Sequence, residues 1–240
     1  MSSLPAPHTL VLWDIDGTLL LSSGAGMRAL EVALTRVFGL RGSLADIEYA
    51  GRTDRWILEE MAARSGVTLT PDALIRLRDA YLTYLTQEIE PPAPGKDVLP
   101  GVRPLLDTLS ARSDVVLGLL TGNLAAGARI KLEHFDLWRY FAGGGFGDHA
   151  ADRTRLYADA VASITAVTGE VFSPAQTVIV GDTPHDVAVA LACGARCLAV
   201  ATGNYGPDAL TAAGAACVLM DLRDLDRSLM ALELAPPPTA

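Results

Sequence analysis

The chain is poor in cysteine, in aromatic residues and in basic charge, and each shortage excludes something. Its three cysteines are Cys193, Cys197 and Cys217. An odd number rules out a fully paired disulfide framework, and Cys193-x-x-x-Cys197 lacks the further ligands of a zinc site. Reduced, buried thiols and a cytoplasmic setting are the expectation. The net charge of −9, with no basic stripe, argues against nucleic acid as a partner. No apolar run reaches membrane-spanning length, and no charged segment followed by an apolar one marks a leader, so no membrane partner is expected. Aromatic residues make up 6% of the chain although half of it is hydrophobic. The core must therefore be built from Leu, Ala and Val, as in ordinary soluble α/β proteins.

The apolar residues fall in a readable order. Strand-like runs recur at Thr9–Asp14, Val115–Thr121, Thr177–Asp182, Arg196–Ala201 and Ala216–Asp221. They are near-continuous rather than alternating, which suits parallel strands covered on both faces. Helical segments lie between them at Gly101–Arg112, Leu124–Glu133, Thr154–Thr168 and Pro184–Cys193. Alternating strands and helices with short connections predict a doubly wound, parallel-sheet α/β fold. Residues 22–95 break the alternation. Met27, Leu30, Leu34, Val37 and Phe38 recur at helical spacing, as do Leu74, Leu77, Tyr81, Leu85 and Ile89, with Thr70 as N-cap and Pro71 at the first helical position. Ser22-Ser23-Gly24 and Pro91-Pro92-Ala93-Pro94-Gly95 bound this stretch like linkers. The expected organisation is an α/β core of residues 1–21 and 96–240 with an all-helical cap, residues 22–95, hung over the site as a lid. The Pro-rich tail from Ala235 is expected to be disordered.

In open α/β sheets, sites form beyond the carboxyl ends of the strands. The first strand ends in Asp14-Ile15-Asp16-Gly17-Thr18. Side chains alternate along a strand, so Asp14 and Asp16 share a side. Two carboxylates so close demand a cation, a shared proton or both. Gly17 permits a sharp turn, and Thr18 offers a hydroxyl and an N–H to an anion. A second strand ends in Thr121-Gly122-Asn123, where hydroxyl and backbone N–H groups at a helix N-terminus suit a phosphoryl oxygen. A third ends in Gly181-Asp182, followed by Asp186. Such oxygen donors suit Mg²⁺, and a carboxylate can attack phosphorus.

Asp-x-Asp-Gly-Thr, Leu-Leu-Thr-Gly-Asn and Gly-Asp-Thr-Pro-His-Asp, in that order, resemble the motifs of the haloacid dehalogenase-like hydrolases. The insert resembles the cap of phosphoglycolate phosphatase-like members. The resemblance implies a Rossmann-like core and a Mg²⁺-dependent phosphatase of a small phosphorylated metabolite. It makes Asp14 the nucleophile, Asp16 the general acid/base and Thr121 a phosphoryl-binding residue, with Gly122 and Asn123 beside it. It gives the metal Asp14, Asp16 through its backbone carbonyl, Asp182 and Asp186. Asp16 points to phosphoryl transfer, because dehalogenases of this superfamily lack that second aspartate.

One element departs from the pattern. The third motif is usually a lysine, but between Gly147 and the following helix the chain offers Arg153 and Arg155 and no lysine. Arg153 is the expected replacement, being nearer the loop that faces the site, and arginine can bind phosphate bidentately. Lys131 follows Thr121 too closely and reads as a solvated or structural lysine. Gly24-x-Gly26-x-x-Ala29 matches a dinucleotide fingerprint, but no strand ends at its first glycine, so it reads as a hinge. Thr53 or Asp54 reads as a helix N-cap, which leaves Arg52 as a candidate substrate-binding residue. His149 and His185 have no partner at metal-ligand spacing, and Gly143–Gly147 reads as a flexible loop. Two alternatives stand beside the phosphatase: a sugar phosphomutase of the same superfamily, and a non-catalytic binding or regulatory module.

Overall fold

The computed structural model describes residues 8–40, 49–148 and 153–234; His149 and the Pro-rich tail lie outside them. Among these residues the strands are β1 (Thr9–Trp13), β2 (Leu20–Leu21), β3 (Asp97–Val98), β4 (Val115–Leu120), β5 (Gly144–Gly145), β6 (Thr177–Gly181), β7 (Arg196–Val200) and β8 (Cys217–Leu219). The helices are α1 (Ala25–Phe38), α2 (Asp54–Arg64), α3 (Pro71–Glu88), α4 (Val102–Ser110), α5 (Ala125–His134), α6 (Arg153–Thr168), α7 (Pro184–Cys193), α8 (Pro207–Ala212) and α9 (Leu225–Ala231). Six strands form one parallel sheet in the order β5-β4-β1-β6-β7-β8. β1 lies inside it, in register Leu12↔Gly118 with β4 and Leu12↔Ile179 with β6.

The unbroken apolar character of β1 follows from this position. Val11 and Trp13 join α4 and α5 residues such as Leu105, Leu106 and Leu132 in one core cluster. Leu10 and Leu12 point the other way, into a cluster with Leu156 and Ile164 of α6 and Val189 of α7. Successive residues of a strand thus feed two separate cores, so neither face can be polar. Fully burying each such Leu stabilises the fold by about 1.5–3 kcal/mol.

Helices α1, α2 and α3 form a third cluster, built on Leu30, Leu34, Leu58, Leu77, Tyr81 and Leu85. The sequence starts these helices explicitly: the Thr53 hydroxyl accepts from the Trp56 N–H, and the Thr70 hydroxyl from the Ala73 N–H with Pro71 behind it. The cluster closes on Leu124, at the start of α5. The chain enters and leaves this helical insert through β2 and β3, which pair antiparallel as Leu20↔Val98 and Leu21↔Asp97. The Gly143–Gly147 stretch contains an edge strand rather than only a flexible loop. A Cβ at Gly145 would lie 2.0 Å from the Leu156 carbonyl oxygen of α6, so bare backbone is needed for that close packing. Among the described residues no helix is long and apolar enough to cross a membrane.

Candidate active site

The carboxyl ends of β1, β4 and β6 are adjacent in the sheet, and the acidic motifs meet there. The Asp14 N–H still donates to the Val180 carbonyl at 2.9 Å, extending the ladder by one residue. The chain then turns: the Ile15 carbonyl accepts from the N–H groups of Thr18, Leu19 and Leu20. Gly17 sits at φ +85°, and a Cβ there would lie 2.4 Å from Asp182 Oδ2. Its glycine is required both by conformation and by that close approach.

Asp14, Asp182 and Asp186 are all buried, and each places a carboxylate oxygen within 4.8 Å of the others. Burial, then the charges of Asp14 and Asp186, pushes the Asp182 carboxyl up to about 8. Burial and neighbouring like charge both disfavour the ionised carboxylate. Three converging carboxylates are the donor set a hard divalent cation prefers, so a metal fits here chemically. Asp186 also accepts from the N–H and the hydroxyl of Thr183, which fixes it at the start of α7. Thr18 belongs to this support too. Its hydroxyl donates to Asp182 Oδ1 at 3.0 Å, and Thr18 is not among the residues that line the cavity described below.

Asp16 faces the same cavity as Asp14, but its carboxylate turns to different partners. Asp16 Oδ2 accepts from Lys131 Nζ at 2.6 Å and from Asn123 Nδ2 at 2.9 Å. Lys131 Nζ also donates to Asn123 Oδ1 at 2.7 Å. Asn123 Nδ2 reaches back to the Thr121 hydroxyl at 2.9 Å, so Thr121, Asn123, Lys131 and Asp16 form one network. Lys131 is 4% exposed. Burial presses its ammonium towards neutrality, but the charges of Asp16 and Asp54 prevail and hold it above the usual lysine range. The reading of Lys131 as a solvated lysine is therefore corrected: it is a buried cation beside the two motif aspartates. Arg155 is exposed and away from the cavity lining. Arg153 opens α6, and its side chain lies outside the described residues.

A signal for Lys131 existed in the sequence. The chain has lysine only at 96 and 131. Lys96 Nζ is bound to the carbonyls of Ile89, Glu90 and Pro91 after α3. Lys131 shares the buried face of α5 with Gly127, Ala128 and Leu132, where a charge needs a partner.

The helical insert supplies the opposite wall. A cavity of about 430 Å³ is lined by Asp14, Asp16, Thr121, Lys131 and Asp182 on the core side. Met27, Leu30, Arg52, Asp54 and Tyr81 line it from the insert. Arg52 is exposed, with its guanidinium 4.8 Å above the Trp56 ring. Gly122 lets the insert approach, since a Cβ there would lie 2.2 Å from the Arg52 carbonyl oxygen. The site thus unites Asp14, Asp16, Thr121, Gly122, Asn123, Asp182 and Arg52 around one cavity, with Asp186 in the carboxylate cluster behind it. Gly24 caps α1 at φ +76° and lines the same cavity with Gly26, and no strand ends at it as a dinucleotide fingerprint would require.

The chain resembles known proteins in fold. A search of curated protein sequences finds no match. Among solved structures, a predicted phosphoglycolate phosphatase from Haemophilus somnus superposes with a TM-score of 0.70 at 17% identity, covering 94% of this chain and 99% of its own. A hydrolase from Pseudomonas syringae gives 0.69 at 22% identity, covering 95% and 100%. CbbY from Rhodobacter sphaeroides, solved with phosphate, gives 0.74 at 18% identity, also covering 95% and 100%. At these identities the likeness concerns the fold. The sequence itself matches the model of the haloacid dehalogenase-like hydrolases over residues 11–191, a stretch that runs from within β1 into α7 and holds all three motifs. The chain is a member of the haloacid dehalogenase-like hydrolase family.

Proposed function

We propose that this chain is a Mg²⁺-dependent phosphatase of a small phosphomonoester, working through an aspartyl-phosphate with residues 22–95 as its cap. The observation that carries the reading is the division of labour between the two motif aspartates. Asp14 stands in the buried carboxylate cluster, whereas Asp16 is held apart by Lys131 and Asn123. Equivalent metal ligands would not be separated in this way.

In the proposed reaction an Asp14 oxygen attacks phosphorus in line, the bond to the ester oxygen breaks, and that oxygen takes a proton from Asp16. Both hydrogen bonds to Asp16 fall on Oδ2, which leaves Oδ1 to carry the proton. Asp16, now a carboxylate, takes a proton from water as the water attacks phosphorus. The bond to Asp14 then breaks and phosphate leaves. Asp14, Asp182, Asp186 and the Asp16 backbone carbonyl would hold Mg²⁺, which when bound neutralises charge on the phosphoryl group and its attacker. Thr121 and the backbone N–H groups near Gly122 would hold its oxygens. Lys131, beside Asp16, would supply the fixed positive charge expected of Arg153. Arg52 would meet the part of the substrate beyond the phosphate. The phosphate bound by CbbY and the three cysteines outside any disulfide support a phosphorylated small-molecule substrate and a cytoplasmic setting respectively.

A phosphomutase would need a basic group from the hinge near the first motif, and the hinge residues that line the cavity, Ser22, Ser23, Gly24 and Gly26, carry none. Turnover of p-nitrophenyl phosphate with Mg²⁺, abolished by EDTA, is the expected result. Absence of metal-dependent turnover would favour a binding module instead, and a panel of phosphorylated metabolites would then identify the substrate class.

A further inference from the structure

We infer that Asp54, a buried carboxylate of the helical insert, is the positioning residue that sets the Thr121–Leu124 loop. The inference rests on the reading of that loop as the phosphoryl-binding segment. Asp54 is the first residue of α2, yet both ends of it reach into the core. Its N–H donates to the Gly122 carbonyl at 2.7 Å, and its Oδ2 accepts from the Leu124 N–H at 3.0 Å. These two bonds fall on either side of Asn123, the residue whose side chain contacts Asp16, Thr121 and Lys131 together. The insert therefore grips the backbone of the one loop from which the site network is hung.

The grip is built rather than incidental. Asp54 is 8% exposed, and an unpaired carboxylate there would be strongly disfavoured. The Tyr81 hydroxyl of α3 donates to the same Oδ2 at 3.2 Å, so a second helix of the insert fixes the carboxylate. Burial above all raises the Asp54 carboxyl to about 6, opposed by the Lys131 charge and the Leu124 N–H. At neutral pH it is thus mainly the ionised acceptor the loop needs. An ordinary helix-start aspartate would serve the N–H groups of its own helix. In α2 that task belongs to Thr53, which frees Asp54 to bind across the junction.

Both donors converge on a single oxygen, and this makes the charge and the hydrogen bonds separable. Asp54→Asn can present its carbonyl oxygen at the Oδ2 position and keep both bonds. Asp54→Ala removes the acceptor, and Asp54→Leu removes it while filling the volume, in case the alanine variant does not fold. The test is amide hydrogen exchange of the peptide spanning residues 121–125 in the full chain, together with kcat and KM for p-nitrophenyl phosphate with Mg²⁺.

The expectation is at least tenfold faster exchange at the Leu124 amide in Asp54→Ala or Asp54→Leu. kcat should fall at least tenfold in the same variant, with KM within threefold. Asp54→Asn should keep exchange at Leu124 within threefold of wild type and lose less kcat than Asp54→Ala. Unchanged exchange at Leu124 in the Ala and Leu variants overturns the inference, as does an equal loss of kcat in Asp54→Asn and Asp54→Ala. If the wild-type chain hydrolyses nothing with metal present, the phosphatase reading fails instead, and the exchange comparison alone decides the role of Asp54.

Discussion

Replacing Lys131 by Met removes one charge and two hydrogen bonds from a nearly solvent-free position while keeping the length of the side chain. Lys131 Nζ donates to Asp16 Oδ2 at 2.6 Å and to Asn123 Oδ1 at 2.7 Å. A hydrogen bond to a charged group contributes about 1.5–3 kcal/mol. The Asp16 side chain is 42% exposed, so water takes over much of its pairing and the low end applies there. Burying a thioether in place of an ammonium offsets part of the rest, which leaves a net destabilisation of about 2 kcal/mol. For a chain of this size that lowers Tm by roughly 4–8 °C. A stability of about 5–15 kcal/mol would still keep almost every molecule folded at room temperature.

The effect on rate is expected to be larger. Losing one preorganised electrostatic partner of the reacting group costs about 10²–10³ in kcat. The two effects can be told apart by measuring kcat for p-nitrophenyl phosphate with Mg²⁺ beside a thermal melt, on Lys131→Met and on Arg153→Gln in parallel. The expected order is a loss of at least about 100-fold for Lys131→Met and under about tenfold for Arg153→Gln. A kcat within threefold of wild type for Lys131→Met, or the reverse order of losses, would refute the assignment of the fixed charge to Lys131.

Three other outcomes follow from the same geometry. Asp14→Asn should abolish metal-dependent turnover, and the metal-free variant should melt no lower than wild type, because a charge is gone from the crowded carboxylate cluster; differential scanning calorimetry and a phosphate-release assay check this. The raised Asp182 carboxyl keeps its proton in the folded chain where the unfolded chain has lost it. Metal-free stability must therefore fall as pH rises from about 4 towards about 8. The rise in Tm on adding Mg²⁺ should accordingly grow over that range, and melts at pH 6 and pH 9 that show equal Mg²⁺ shifts would contradict it. Gly122→Ala places a methyl group 2.2 Å from the Arg52 carbonyl oxygen, forcing the insert back at a cost of about 1–3 kcal/mol. A raised KM with a lowered Tm is the expected result.

What could be read in the sequence and what could not divide along physical lines. β1, β4, β6 and β7 announce themselves because a strand covered on both faces must be apolar throughout, and that is a local property. The carboxylates at their ends are legible for the same reason: Asp14 and Asp182 stand 168 positions apart, but topology brings β1 and β6 side by side. β2 and β3 are invisible as strands, since two residues carry no period. Lys131 and Asp54 escaped because charge on a helix reads as a solvated face or a cap. Their burial depends on each other and on Asp16, so no single window of sequence contains the reason. Thr18 was read as an anion ligand from its place in the turn, but its hydroxyl is spent on Asp182.

The β2–β3 pair has an evolutionary reach that its four residues do not suggest. Because the chain departs at Leu21 and returns at Asp97 on adjacent strands, everything between them is a closed excursion. The order of the six-stranded sheet uses none of it. The insert can therefore be lengthened, exchanged for another or redrawn residue by residue without rethreading the core, and selection can rewrite which molecule is held while leaving the chemistry intact.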